Sequence, residues 1–295
     1  MDWSKRRKKF RALVAGKKCV HPASVHDPLT ARIAEGLGFE CGMYAGSIAS
    51  EAVLAAPDTM VLTLTEFAEQ AYRMNRAANL PLVCEVDNAY GNALNARRTV
   101  EEMENAGVVA ICVEDTVVPR PYGPSNKLTF LSIEESVGKM KASLDARQDK
   151  TMLIAGRTRA LAVNGLKDAI ARCKAYEKAG VDAIFLAGKK TLADLEAVCS
   201  ALKVPVFTSG VDSNGDLYDL KHLGKIGVRI ALQGHLPIQA AVKAAHDTLK
   251  ALRGGTPPKQ LKDMLATKEL MDRATRAADY DKWTEAYLGG KRQSH

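Results

Sequence analysis

The chain has 295 residues, 46% of them apolar and 26% charged, a balance that excludes a disordered protein and allows one large barrel or two average domains. No apolar run approaches the ~18–20 residues of a membrane span, and the basic N-terminus lacks the apolar stretch of a secretory signal, so no membrane partner is expected. The formal charge of +8 admits nucleic acid, but no nucleic-acid module accompanies it, and the excess suits an anionic small substrate equally well. Cys19, Cys41, Cys84, Cys112, Cys173 and Cys199 are scattered without metal-site spacing and read as small buried hydrophobes, which points to a reducing, cytoplasmic location.

In chain order, Lys5-Arg6-Arg7-Lys8-Lys9 precedes Phe10, Leu13 and Val14 at helical spacing, and reads as the solvated face of an N-terminal helix. Lys18 to His21 reads as a first strand, followed by a helix beginning near Pro28. From there one unit recurs: a helix, a glycine, then a short apolar strand. It is seen at Gly38 to Tyr44, at Gly107 to Val113 after a helix from Asn92 to Asn105, at Gly180 to Leu186, and at Gly227 to Leu232 after a short helix around Leu217 to Leu223. A glycine suits each helix end because the left-handed conformation there is cheap for it. Leu82 to Val86, Met152 to Ala155 and Val204 to Thr208 supply the remaining strands. All are continuously apolar, as parallel strands covered on both faces are. Eight such units predict a (β/α)₈ barrel over residues 1–253, with a helical extension over 254–295. The rival open dinucleotide-binding sheet lacks its glycine fingerprint after the first strand.

In such a barrel the chemistry sits at the C-terminal ends of the strands. Those ends carry Ala45-Gly46-Ser47, Glu85-Val86-Asp87-Asn88, Glu114-Asp115-Thr116, Arg157-Thr158 and Gln233-Gly234-His235. Carboxylates crowded at one rim repel unless a cation neutralises them, and Glu85, Asp87 and Glu114 are hard oxygen donors suited to Mg²⁺ or Mn²⁺. Surface ion pairing and helix capping, the latter above all for Asp115, are the alternatives. Arg157 has the fork that clamps a carboxylate, and His235 reads either as a catalytic group or as a supporting one.

Ser24-Val25-His26-Asp27-Pro28, Gly46-Ser47-Ile48-Ala49, Glu85 through Asn92, Val113-Glu114-Asp115-Thr116 and Ala155-Gly156-Arg157-Thr158 resemble the isocitrate lyase/phosphoenolpyruvate mutase superfamily over about residues 10–250. Gly234-His235 resembles its oxaloacetate decarboxylase branch. The resemblance implies Mg²⁺ (with Mn²⁺ as substitute) held by Glu85, Asp87 and Glu114, and a small 2-oxo acid bound by Tyr44, Gly46, Ser47, Arg157 and His235. It also implies catalytic roles for Asp58, Arg157 and His235, a gating loop from Val117 to Phe130, and a homodimer or homotetramer with exchanged C-terminal helices. The expected reaction is decarboxylation of a 2-oxo diacid through a metal-stabilised enolate. A lyase acting on a substituted malate, a phosphonopyruvate mutase or hydrolase, and a silent barrel binding an anionic partner are the alternatives.

Three features depart from the pattern. Glu85 stands where Asp is usual, Arg159 where Asp or Asn is usual, and residues 118–127 lack the Cys and His of the lyases' loop, which argues against isocitrate-type cleavage.

Overall fold

The computed structural model describes residues 2–119, 122–123, 128–210 and 219–290. Its elements in order are α1 (Ser4–Ala15), β1 (Ala23–Ser24), α2 (Pro28–Gly36), β2 (Gly42–Tyr44), α3 (Gly46–Leu54), α4 (Leu64–Ala77), β3 (Leu82–Glu85), α5 (Ala93–Asn105) and β4 (Ala110–Glu114). There follow α6 (Ile133–Ala146), β5 (Leu153–Thr158), α7 (Ala160–Val163), α8 (Leu166–Ala179), β6 (Ala183–Leu186), α9 (Leu192–Ser200), β7 (Val206–Thr208), α10 (Leu220–Ile226) and β8 (Val228–Ala231). The chain closes with α11 (Leu236–Arg253), a 3-10 turn (Pro258–Met264), α12 (Lys268–Thr275) and α13 (Ala277–Leu288). The eight strands form one parallel sheet in sequential order.

The first strand differs from expectation. Val20 makes a single parallel bridge to Ile230, and after Pro22 the chain pairs Ala23 and Ser24 with Gly42 and Met43. Proline has no N–H for the ladder, so the strand is split into two pieces. One piece meets β8 and the other β2, and together they close the sheet into the barrel.

Sequence chemistry explains the element boundaries. Asp27, Thr63, Asn92 and Thr191 cap α2, α4, α5 and α9 with reciprocal side-chain bonds at the third helical residue; each such cap contributes about 1 kcal/mol. Gly180 and Gly227 end α8 and α10 at φ 102° and 105°, the left-handed angles expected of them.

Strand residues alternate between two cores. Met43, Val83, Cys112, Ala155, Phe185, Phe207 and Ile230 belong to the inner core, while Tyr44, Cys84, Ile111, Ile154 and Ile184 pack outward under the helices. α1 plugs the floor of the barrel: Phe10 is fully buried and meets Phe207 edge-on with ring centroids 6.3 Å apart. The basic run on α1 is therefore solvated in part only. Lys5, Lys8 and Lys9 are exposed, but Arg7 is buried, donating from Nε to Val108 O (3.0 Å) and pairing with Asp149 (2.9 Å). Arg6 donates to Asn75 O and Ala78 O. All six cysteines are free and buried. Among the described residues no helix is long and apolar enough to cross a membrane.

Candidate active site

The inward rows of three adjacent strands end in charge. Ala110, Cys112 and Glu114 on β4, and Leu153, Ala155 and Arg157 on β5, follow the two-residue period of a strand, as Val83 and Glu85 do on β3. Arg157 lies between its lateral partners. Glu114 is opposite it on one side and Phe185 on the other. Its guanidinium bonds Glu114 at 2.7 Å and Glu85 at 3.3 Å and lies 5.4 Å above the centre of the Phe185 ring.

Asp87 follows β3 in a turn with φ 46°. Its carboxylate lies against Gly46, where an added Cβ would fall 2.3 Å from Oδ2; this close approach is why a residue without a side chain stands there. Burial raises the Glu85 carboxyl above its ordinary value, with Glu114 and Asp58 adding to the shift against Arg157 and Arg159. Burial likewise pushes Asp87 up to about 7, opposed by Arg157 and assisted by Asp58, Glu85 and Glu114. Burial lowers the Arg157 value, but Glu114, Glu85 and Asp87 outweigh it and hold the guanidinium charged.

The ends of β2 and β8 carry donors. Gly46 and Ser47 are the first residues of α3, whose initial N–H groups have no helical acceptor and therefore suit an anion. Ala45 and Ile48 pack on Ile238, bringing the start of α3 to the start of α11. His235 precedes α11, and its Nδ1 lies 2.9 Å from Ser24 Oγ. Burial lowers the His235 value, with Glu51 and Asp58 opposing and Arg157 assisting; at neutral pH the ring is an uncharged hydrogen-bonding group.

Two residues face away from the cluster. Tyr44 belongs to the outward row: it is fully buried and stacked on Phe67 at 4.6 Å, so its ring is not offered to the rim. Asp115 neither caps a helix nor joins the cluster. It is fully buried on the outer side, paired with Arg172 at 3.1 Å and accepting from Tyr176 Oη at 2.6 Å. Asp58 and Arg159 are exposed and reach the cluster through their fields. Of the expected loop Val117 to Phe130, residues 120–121 and 124–127 lie outside the described residues, as does the first part of the helix expected at Leu217 to Leu223. Sequence reasoning assigned no role to Ser24 or Lys139; the latter sits on the inner stripe of α6 with Ser136, Met140 and Ser143.

The donor set fits a hard divalent cation. Three carboxylates share one rim with one arginine in contact, and burial raises two of them. Among the described residues no three acidic, histidine or cysteine groups form a ready cage. Mg²⁺ needs no such cage, because it takes one or two carboxylates and fills its octahedron with water and substrate.

The phosphoenolpyruvate phosphomutase family model matches residues 10–253. An oxaloacetate decarboxylase of Rhodopseudomonas palustris (strain BisB18) is 51% identical, covering 99% of this chain and 100% of the relative. One from Bradyrhizobium diazoefficiens is 50% identical, covering 95% and 96%. Among solved structures, phosphonopyruvate hydrolase complexed with oxalate and Mg²⁺ superposes with a TM-score of 0.84 at 26% identity, covering 96% of this chain and 99% of that one. With the family model spanning the whole barrel and the charged strand ends in place, the chain belongs to the phosphoenolpyruvate phosphomutase family, within the isocitrate lyase/phosphoenolpyruvate mutase superfamily.

Proposed function

We propose that this protein is a divalent-metal-dependent decarboxylase that converts oxaloacetate, a small 2-oxo diacid, to pyruvate and CO₂. The observation that carries the reading is full-length identity of about one half to proteins named oxaloacetate decarboxylase, and the rim described above has the groups such a reaction uses.

Glu85, Asp87 and Glu114 would hold Mg²⁺ or Mn²⁺, which when bound supplies Lewis-acid stabilisation of the negative charge that builds on the 2-oxo oxygen. The start of α3 offers the N–H groups of Gly46 and Ser47 and the Ser47 hydroxyl to the carboxylate beside that carbonyl, where one well-placed donor is worth about 3 kcal/mol. Arg157, anchored by Glu114, keeps a fixed positive charge at the rim for an anionic substrate. His235, neutral, donates to the far carboxylate. As CO₂ leaves, the electron pair of the broken C–C bond passes into the enolate of pyruvate, and C3 then takes a proton. Asp58, on the exposed loop between α3 and α4, is assigned to the reacting carbon. Departure of CO₂ needs no proton donor at the leaving group, which suits a segment 118–127 without Cys or His.

A second copy of the chain is proposed to cover α11, in which Ile238 is the buried residue while Leu236, Val242, Leu249 and Leu252 are exposed. An apolar groove lined by Ile33, Ala34, Leu37, Phe39, Leu236 and Pro237 lies at its base. Light scattering after gel filtration tests this: a dimer or tetramer that Leu249→Glu reduces in size supports it, and a monomeric wild type refutes it.

The test of the activity is pyruvate release from oxaloacetate with Mg²⁺ and with EDTA, corrected for the uncatalysed metal-driven reaction. Metal-dependent turnover abolished in Glu85→Gln/Asp87→Asn supports the reading. Phosphate and pyruvate from phosphonopyruvate, or glyoxylate from a substituted malate, with no pyruvate from oxaloacetate above background, would move the activity to another member reaction. Unaltered turnover in the double variant would remove the metal assignment.

A further inference from the structure

The turn after β3 holds three left-handed residues other than glycine: Asp87 (φ 46°), Ala89 (φ 58°) and Tyr90 (φ 58°). Each costs on the order of 1–3 kcal/mol and persists where the surroundings over-determine it. They do so here through the carbonyl oxygens. Ala89 N donates to Val86 O at 2.7 Å and Glu114 N to Asp87 O at 2.7 Å. Lys139 Nζ donates to Asn88 O, and Thr99 Oγ1 to Ala89 O at 3.2 Å. The external donors come from β4, α6 and α5, so the turn is pinned from three sides.

Lys139 is the exceptional member. It is 1% exposed, and among the described residues no carboxylate lies at ion-pair distance from it. Burial pushes its ammonium down to about 8, against the fields of Glu135, Asp115 and Glu114. A methionine of similar length would avoid the desolvation cost of a buried charge. The cost is met at one place, the carbonyl one residue beyond Asp87. Asn88 also donates from Nδ2 to Val118 O at 2.7 Å, so the same residue ties the turn to the segment leaving β4.

We propose that Lys139 is a positioning residue: acting through the Asn88 carbonyl, its buried ammonium holds the left-handed turn that directs the Asp87 carboxylate to the metal, and so sets metal affinity. The proposal rests on the assignment of Glu85, Asp87 and Glu114 to a divalent cation.

The test is Mn²⁺ binding, followed by electron paramagnetic resonance, together with the thermal midpoint of the metal-free protein, for wild type and Lys139→Met. Groups that orient a metal ligand from behind typically change affinity by about 10–100-fold, and a weakening in that range is expected. The metal-free midpoint should hold or rise, because a desolvated charge has been removed. Excess Mn²⁺ should then restore part of the turnover. A lowered midpoint with unchanged Mn²⁺ affinity would assign Lys139 to packing alone and overturn the proposal. If Lys139→Met does not fold, Lys139→Gln, which keeps a neutral donor, takes its place: severalfold weaker binding supports the proposal and equal binding overturns it. A wild-type protein that binds no Mn²⁺ removes the metal assignment itself and this inference with it, an outcome separate from a Lys139 variant that binds normally.

Discussion

Gly46→Ala is the most demanding test of the site geometry. The new Cβ would fall 2.3 Å from Asp87 Oδ2, 2.7 Å from Oδ1 and 2.8 Å from Cγ, whereas ordinary contact begins near 3.4 Å. One of the two groups must therefore move by about 1 Å. Gly46 is the first residue of α3, and Ala45 and Ile48 beside it are packed on Ile238, so the helix end resists displacement. The backbone of Asp87 is pinned through its carbonyl by Glu114 N, so its side chain must rotate away. A misplacement of that size costs on the order of 10²-fold in rate, which corresponds to about 2.7 kcal/mol of transition-state stabilisation. Pyruvate production coupled to NADH oxidation gives kcat/KM, and Mn²⁺ titration gives ligand affinity. Both should fall, while the fold, followed by circular dichroism, survives. A variant within about threefold of wild type in kcat/KM, with unaltered Mn²⁺ binding, would show that Asp87 does not act from the position described.

Phe10→Ala empties the floor of the barrel against Phe207 and should cost about 3–5 kcal/mol in urea unfolding of the metal-free protein; a loss below 1 kcal/mol would mean that α1 is not a structural plug. Asp149 reports on the same dock: burial opposes, but hydrogen bonds from Thr151 and Arg7 outweigh it and hold the carboxyl at about 2. Because the folded value is depressed below the ordinary 3.8, its contribution is present above that pH and is lost as pH falls toward 2. The unfolding free energy of wild type should therefore drop more than that of Asp149→Asn across this window, by about 1–2 kcal/mol after allowance for screening; parallel curves would refute it. Arg172→Leu strands the buried Asp115 carboxylate and should cost about 3–5 kcal/mol, read from the same unfolding curves, and a neutral result would mean that Asp115 is protonated in the folded protein.

The helix–glycine–strand repeat made the barrel legible because each glycine marks a backbone angle, and the rim carboxylates were legible because strand ends can be counted from it. The facing of individual residues was not. A parallel strand buried on both sides is apolar at every position, so nothing in Met43-Tyr44 says which residue points inward. The same ambiguity left Asp115 beside Glu114 as an open case. Pro22, directly after the expected Lys18 to His21 strand, is the signal that the first strand breaks there. Arg7 was hidden in a basic run because charge predicts solvent, whereas the Val108 carbonyl and the Asp149 carboxylate at the barrel floor are partners that sequence spacing does not reveal. Lys139 did leave a trace: with Ser136, Met140 and Ser143 at helical spacing, it is a charged residue on a buried stripe.

The alternation that obscured the facing also divides the labour of the strands. Glu114 and Asp115 are consecutive, yet one turns to the rim and meets Arg157, while the other turns to the helix layer and meets Arg172 and Tyr176. Each carboxylate has its own arginine, and the two pairs lie on opposite faces of one strand. The outer pair fastens β4 to α8, and Arg172 further donates to Leu131 O at 3.0 Å while Leu131 N donates to Asp115 O at 2.8 Å. The segment that leaves the rim is thereby tied down again where it returns. The inner pair is left with the task that stability alone would not assign: keeping carboxylates close together, partly desolvated and incompletely neutralised. Under the proposed metal assignment such an arrangement would cost free energy in the metal-free protein and would be offset as a divalent cation and an anionic substrate complete the charge, so saturating Mg²⁺ should raise the thermal midpoint.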